Sequence, residues 1–345
     1  MGIPSPTTPH TDGSATHTRR RAVLRIGTRG SELALFQANA VAALLREQAS
    51  VTSEIVVIKT SGDRLAEAPL SQIGGKRLFV KEIEDALLGG EIDLAVHSSK
   101  DMSVVLPAGL EIGAVLPRED ARDAVVLRAD AAPEGAQPMD ALVRALGPTP
   151  RIGTSSVRRS AQLAHLWPGA TFAPVRGNLD TRLRKLDAGG FDALVLASAG
   201  LRRLDRAQRI SASLPIADCV PAPGQGIIAV EIRAGDDHVR TLVCRIGHTD
   251  AATALTAERA VVVRLGGGCQ MPIGAYAEVA GQSMSLTAIV TTLDGSRAAR
   301  TERDGSTDDP ERLGVEVAEQ LLASGAEVIL ADVRRAQALV EGLQP

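Results

Sequence analysis

The sequence predicts an α/β protein of several domains, and three observations carry that reading. From Ala22 onward, short apolar runs alternate with segments of helical period, the pattern of βαβ units built around a largely parallel sheet. The chain has 345 residues, more than a single core usually serves. Two hinge-like stretches, the polar run after Pro117 and PAPGQG (221–226), interrupt the alternation.

The elements follow in order. VLRIG (23–27) reads as a strand, and Ser31 can cap a helix from Glu32 to about Glu47 with Leu33, Leu35, Ala38, Val41 and Leu45 as its apolar stripe. EIVVIK (54–59) is the next strand. A helix from Val80 to Leu88 stops at Gly89 and Gly90, and the run IDLAV then carries HSSKD (97–101) to the carboxyl end of a sheet, where ligands of open α/β folds gather. After the polar run REDARD, AVVL (124–127) opens a second unit. In RIGTSSVRRSAQL (151–163) a strand ends at Gly153 and a helix begins among Thr154, Ser155 and Ser156, so Arg158 and Arg159 lie in its first turns beside free backbone N–H groups, an anion site. VRGNLDTRL repeats the logic: a strand ends at Val175, Gly177 permits a tight turn, and Arg176 and Arg182 flank a helix start. IIAVEI (227–232) is expected to cross back to the first sheet. From about Thr249 a helix leads into a glycine loop, followed by strands near Ala277 and at 286–290 and a helix near 312–322, a third domain of α+β type. The expected division is a disordered tail over 1–21, a first domain over 22–117 plus 222–245, a second over 120–219 and a third over 248–345.

Composition excludes several classes of function. The net charge of −3 gives no bulk attraction to nucleic acid or anionic membrane, and no apolar run approaches a membrane span. Residues 151–210 nevertheless hold eleven Lys or Arg against four Asp. A solvated face explains any one of these arginines. A nucleic-acid surface fares worse, because Trp167, Phe172 and Phe191 are the only aromatics nearby and the charges cluster at helix starts. Arginines so placed suit several separate carboxylates or phosphates, hence a small polyanion. The three cysteines, Cys219, Cys244 and Cys269, are odd in number and contain no CxxC pair, which argues against a disulfide framework and a zinc site and favours a reducing, cytoplasmic setting; no metal is expected.

Cys269 stands in RLGGGCQMPIG (264–274), where three glycines clear one flank of the thiol for a bulky group. A presented thiol serves as nucleophile, redox sensor, metal ligand or attachment point. Asp101, directly after Lys100 at a strand end, suits either proton work and stabilisation of a positive intermediate or the cap of a helix. His97 reads as a structural, hydrogen-bonded residue, since no nucleophile is paired with it. Gly224, Gly226 and Ala229 match a loose GxGxxA, but prolines precede it and a strand follows, the reverse of a dinucleotide site.

Taken together, IGTRGSELALFQA, GGKRLFVKEIEDALL, DLAVHSSKDM, REDARDA, RIGTSSVRRSAQL, VRGNLDTRLRKL, LASAGLRRL, PGQG, TAERA and RLGGGCQMPIGAYA resemble one family, hydroxymethylbilane synthase or porphobilinogen deaminase, over nearly all of 24–330. The resemblance implies three domains, the first two resembling type II periplasmic binding proteins and the third a smaller α+β domain that carries the cofactor. It implies a dipyrromethane cofactor held by a thioether to Cys269. Four porphobilinogen molecules are then added in turn; each loses ammonia to give an azafulvene that the growing chain attacks, and hydrolysis releases hydroxymethylbilane. Asp101 falls on the catalytic aspartate, with Lys100 beside it. Arg29 and Ser31, Lys76 and Lys81, Arg158 and Arg159, and Arg176 and Arg182 fall on positions that bind the acetate and propionate arms. Thr154, Ser155, Ser156 and Gly177 fall at the cofactor and Gln225 at the substrate. The resemblance further implies hand-over of the product to uroporphyrinogen-III synthase, and the chain is expected to act as a monomer without nucleic acid or membrane. A solute-binding module of similar architecture would require neither Cys269 nor Asp101. Departures from the usual pattern fall at Ser99, Ser103, Arg77, Ala121 and Pro223, and none removes a charged group in these roles.

Overall fold

The computed structural model describes residues 23–61, 80–131, 135, 137–268 and 271–342. Strands β1 (Val23–Thr28) and β2 (Thr52–Val57) lie parallel, Val23 opposite Thr52, joined by helix α1 (Glu32–Ala49). Ser31 caps α1: its backbone is extended and its hydroxyl accepts from the Ala34 N–H at 3.4 Å. The helix buries Gln37, Ala38, Val41, Leu45 and Ala49. Leu33 and Leu35, assigned above to the same stripe, are only half-covered, because the first turn overhangs the sheet and brings Leu33 against Gly200 of the second unit instead.

Helix α2 (Lys81–Leu88) leads to β3 (Leu94–Ser98), whose first four residues are all buried, as in a strand covered on both faces. After β4 (Leu110–Val115) the chain leaves this sheet. The second unit runs β5 (Asp123–Leu127), α3 (Met139–Leu146), β6 (Arg151–Gly153), α4 (Val157–Leu163), β7 (Thr171–Ala173), α5 (Leu179–Lys185), β8 (Ala193–Ala197), α6 (Ser198–Arg203) and β9 (Ala212–Ser213). The strand expected to end at Val175 stops at Ala173, where the Ala173 carbonyl accepts from the Thr154 N–H at 2.9 Å.

Strand β10 (Ile228–Arg233) then returns to the first sheet, as expected, and lies antiparallel between β3 and β4. The two sheets are built alike, with orders β2-β1-β3-β10-β4 and β7-β6-β8-β5-β9. In each, the strand that enters from a hinge is antiparallel and sits fourth. The return hinge needs its glycines. Gly224 and Gly226 have φ of +73° and +87°, and a Cβ on either would collide, with Ser99 Oγ and the Glu119 carbonyl respectively.

After α7 (Asp237–Val243), helix α8 (Thr249–Arg264) opens the third, α+β domain. An antiparallel sheet of β11 (Ile273–Ala280), β12 (Ser283–Thr291) and β13 (Ala298–Ser306) follows, with α9 (Pro310–Leu321) and α10 (Glu327–Gly342). Ala257 and Val261 of α8 pack with Leu286 and Val290 of the sheet and Val317 of α9 into one core. The sequence reading had neither β13 nor α10. Strand β13 is a charged edge strand, AARTERDGS, burying only Ala299 and Thr301, so its alternation is faint; Gly325, at φ +93°, separates α10 from α9. Among the described residues no helix is long and apolar enough to cross a membrane, and no cluster of side chains could hold a metal ion.

One buried carboxylate ties the three domains together. Glu258 of α8, with no accessible surface, pairs with Arg118 of the first hinge at 2.7 Å and accepts from the Gly224 N–H of the second hinge at 2.7 Å and the Ala277 N–H of β11 at 2.8 Å. Arg118 also stacks over the Tyr276 ring, 5.3 Å from its centroid.

Candidate active site

The centre of the site is the turn that ends β3. Ser99–Asp101 form one 3₁₀ turn, pinned by a 3.0 Å bond from the Ser99 N–H to the Ile227 carbonyl and closed by the Met102 N–H on the Ser99 carbonyl. The turn leaves Asp101 exposed and Lys100 half-buried at the carboxyl edge of the first sheet. His97 points the other way, buried with its Nε2 3.1 Å from Glu231 Oε2, the structural role expected of it.

Lys100 Nζ donates to Gln225 Oε1 at 3.3 Å. Gln225 in turn donates to the Ala121 carbonyl at 2.7 Å and to Asp123 Oδ1 at 2.8 Å. Gln225 is therefore 1% exposed with its amide committed to protein partners, which differs from its expected place on the substrate: the left-handed glycines on either side turn its side chain inward.

Arg158 and Arg159 also differ from the expectation of cations standing open to a ligand. Both are buried and paired with the same carboxylate, Arg158 Nη2 at 2.7 Å from Asp123 Oδ2 and Arg159 Nη2 at 2.8 Å from Asp123 Oδ1. Arg158 Nη1 continues to the Val220 carbonyl at 2.7 Å and Arg159 Nη1 to the Val195 carbonyl at 3.0 Å. The helix they start, α4, is only seven residues long and capped by the Ser156 hydroxyl, so its first turn sinks them beneath the surface. Ser155 Oγ is held by the Val175 carbonyl at 2.9 Å, and Thr154 Oγ1 accepts from the Ser156 N–H at 3.2 Å. Gly177, at φ +106°, makes the turn expected of it, and Arg182 folds back to donate to its carbonyl at 2.8 Å.

Lys100 and Arg158 reach one cavity of about 80 Å³, room for roughly half a dozen water centres, together with Arg259 and Gly268. Its other wall is apolar, formed by Met102, Leu255 and Met271 among others. Buried Arg158 Nε has no hydrogen-bond partner. Gly268 and Met271 bracket Cys269 in the chain, while Cys269 itself and Lys76 lie outside the described residues. Arg29 and Arg176 are half-buried at the ends of β1 and β7, whereas Lys81 is exposed and paired with Asp85 at 3.0 Å along α2.

Electrostatics bind these groups into one site. Burial, and then the neighbouring Arg159 charge, push Lys100 down to about 8, while Asp101 and Asp123 act in the opposite sense. Burial alone would raise Asp123, but Arg158 and Arg159 hold its carboxyl well below the usual carboxylate range. Arg182 is lowered by burial and by Arg159, with Asp101 opposing, which places it within electrostatic reach of both. Sequence reasoning missed Asp123, Arg118, Arg259 and Glu258. Asp123 was visible as an acid opening a wholly buried strand, a position that demands a cationic partner.

The family model described as porphobilinogen deaminase, dipyromethane cofactor binding domain, matches residues 24–241, and that of the porphobilinogen deaminase C-terminal domain matches 252–323. The chain belongs to the porphobilinogen deaminase family. Porphobilinogen deaminase of Geobacter metallireducens is 45% identical over 315 residues, 90% of this chain and 94% of the relative. That of Moorella thermoacetica is 45% identical over 320 residues, 92% and 99% of the two chains. Among solved structures, the Lactococcus lactis GlnP substrate binding domain 2 in open conformation is 12% identical, covers 67% of this chain and 88% of its own, and superimposes with a TM-score of 0.40, too distant to argue from.

A dipyrromethane would bring two pyrrole rings joined by a methylene, with carboxylate arms, and the residues present fit such a group. The cavity joins an apolar wall to a wall bearing Lys100 and Arg158, with one buried guanidinium N–H unpartnered and Gly268 preceding the thiol.

Proposed function

We propose that this chain catalyses the hydroxymethylbilane synthase reaction, joining four porphobilinogen molecules head to tail with loss of ammonia and releasing hydroxymethylbilane by hydrolysis. The observation that carries the reading is one cavity that brings Lys100, the neighbour of Asp101, against buried Arg158 and Gly268, the residue before Cys269. A dipyrromethane bound through Cys269 would supply a nucleophilic pyrrole α-carbon as primer.

The chain's own residues then have distinct tasks. Asp101, exposed beside Lys100 at the end of the turn, accepts from pyrrole N–H groups of the substrate and stabilises the positive charge that grows as ammonia leaves. Lys100 offers an ammonium that titrates near working pH, suited to hold a carboxylate arm or a departing proton. Arg182, Arg176, Arg29 and Ser31, with Lys76 and Lys81, would gather further carboxylates at the edges of the cleft. Arg158, Arg159 and the hydroxyls of Thr154, Ser155 and Ser156 act one layer deeper, as the positive floor beneath the cofactor, with Gly177 shaping the turn that holds Arg182.

The hinge positions support boundaries near 117–120, 219–222 and 245–248 between the three domains. A monomer in the cytoplasm, passing hydroxymethylbilane to a uroporphyrinogen-III synthase, completes the reading. The deciding experiment is the denatured mass of the purified protein with the ammonia and porphyrin formed from porphobilinogen. An excess of two linked pyrrole units, absent in Cys269→Ala, is expected. A mass equal to the encoded polypeptide together with no ammonia release would overturn the assignment.

A further inference from the structure

The carboxylate beneath the site is more heavily engaged than an ion pair requires. Asp123 has no accessible surface and receives Arg158 Nη2 at 2.7 Å, Arg159 Nη2 at 2.8 Å and Nε at 2.9 Å, Gln225 Nε2 at 2.8 Å and Cys219 Sγ at 3.3 Å. Both oxygens are saturated, so Asp123 cannot also bind ligand or carry a proton in turnover. Cys219 stays a thiol donor, because burial and then the Asp123 charge push it up to about 12.

What Asp123 holds is informative. It opens β5 in the second domain, whereas Gln225 belongs to the return hinge and Lys100 to the turn after β3 in the first domain. The path Asp123–Gln225–Lys100 therefore runs from one domain through the hinge to the other, in bonds of 2.8 Å and 3.3 Å. One carboxylate set against two guanidiniums also leaves one positive charge over beneath the cavity that Arg158 lines.

We propose that Asp123 is a positioning residue for the condensation: through Gln225 it fixes where the Lys100 ammonium stands beside Asp101, and through Arg158 and Arg159 it fixes the positive floor of the cavity. This rests on the reading that Lys100 and Asp101 serve the reaction. Asp123→Asn keeps the shape and removes the charge; Gln225→Met keeps every Asp123–arginine contact and cuts the Gln225 bonds to Lys100, Asp123 and the Ala121 carbonyl, and with them the link between Asp123 and Lys100. Two readouts apply to the full chain carrying its cofactor, namely steady-state kinetics with porphobilinogen and the pH midpoint for trace acylation of Lys100, read by peptide mass. In both variants the Lys100 midpoint is expected to fall by about one pH unit, since the ammonium loses an anion or an acceptor. The same loss should lower kcat about tenfold or more while KM stays within twofold. Where Asp123→Asn does not fold, Gln225→Met decides alone. A kcat and a Lys100 midpoint both within error of the parent, even with lowered thermal stability, would reduce Asp123 to a structural ion pair and overturn the proposal. Full activity in Lys100→Met would instead remove the catalytic reading while leaving the labelling shift in place, so the two failures are distinguishable.

Discussion

At the scale of single residues, the proposed chemistry rests on a charge held where burial disfavours it. Lys100 is pushed from an ordinary lysine value of 10.5 down to about 8, so the folded protein binds that proton less tightly than the unfolded chain does. Its charge therefore costs stability below pH 8, and the cost fades as pH rises from 8 toward 10.5, where the folded state has already released the proton. Lys100→Met is expected to be more stable than the parent by about 1–3 kcal/mol at pH 7, with the gap closing above pH 8, by denaturant titration at several pH values. The same variant should lose most of its turnover, the usual opposition of stability and activity at a site. Asp101→Asn is expected to retain fold and cofactor mass while kcat falls by about 10²-fold or more, and near-normal kcat would end that assignment.

At the scale of elements, α8 ties the third domain to both hinges. Glu258 gathers Arg118, Gly224 and Ala277 on one fully buried carboxylate, so replacing it leaves the Arg118 cation and two N–H groups poorly matched. Glu258→Gln is expected to cost about 3–5 kcal/mol, seen in chemical denaturation, and to make the third domain melt before the rest. Helix α10 has a lighter part. Arg334 donates to the Leu265 and Gly266 carbonyls at 3.2 Å each, closing the end of α8 from which the glycine loop departs. Neither contact announces itself in sequence, since TAERA reads as ordinary helix and Arg334 as one of two adjacent surface arginines.

At the scale of the molecule, two similarly ordered sheets are joined by two hinges, and in the proposed reaction the growing product would be accommodated between them. Their outer contact is light: Leu33 of α1 faces Gly200 of α6, and Glu32 meets Asp180 of α5 closely enough that the hydrogen bond and charge of Asp180 raise the Glu32 carboxyl. Such a contact suits relative movement of the domains. Cysteines placed at Leu33 and Gly200 and joined by a short crosslinker that couples through disulfide bonds should slow the later condensations more than the first, with speed restored on reduction, followed by the masses of the enzyme-bound intermediates. Equal rates for all four additions would show that the domains need not separate.

Much of this was legible from residues alone. The alternation of apolar runs locates β1, β3, β5 and β10, Ser31 announces its own helix, and the ordered motifs from IGTRG to GGGCQMPIG carry the family resemblance, because strand period, capping and glycine turns are local effects written in neighbouring side chains. The partners of the charges were not legible. Which carboxylate neutralises Arg158 and Arg159, that Gln225 faces inward to link Asp123 with Lys100, and that Glu258 binds both hinges depend on residues from 34 to 140 positions apart brought together by the crossing of the chain between two sheets. Burial sets the strength of those pairs, and burial belongs to the assembled fold rather than to any stretch of it.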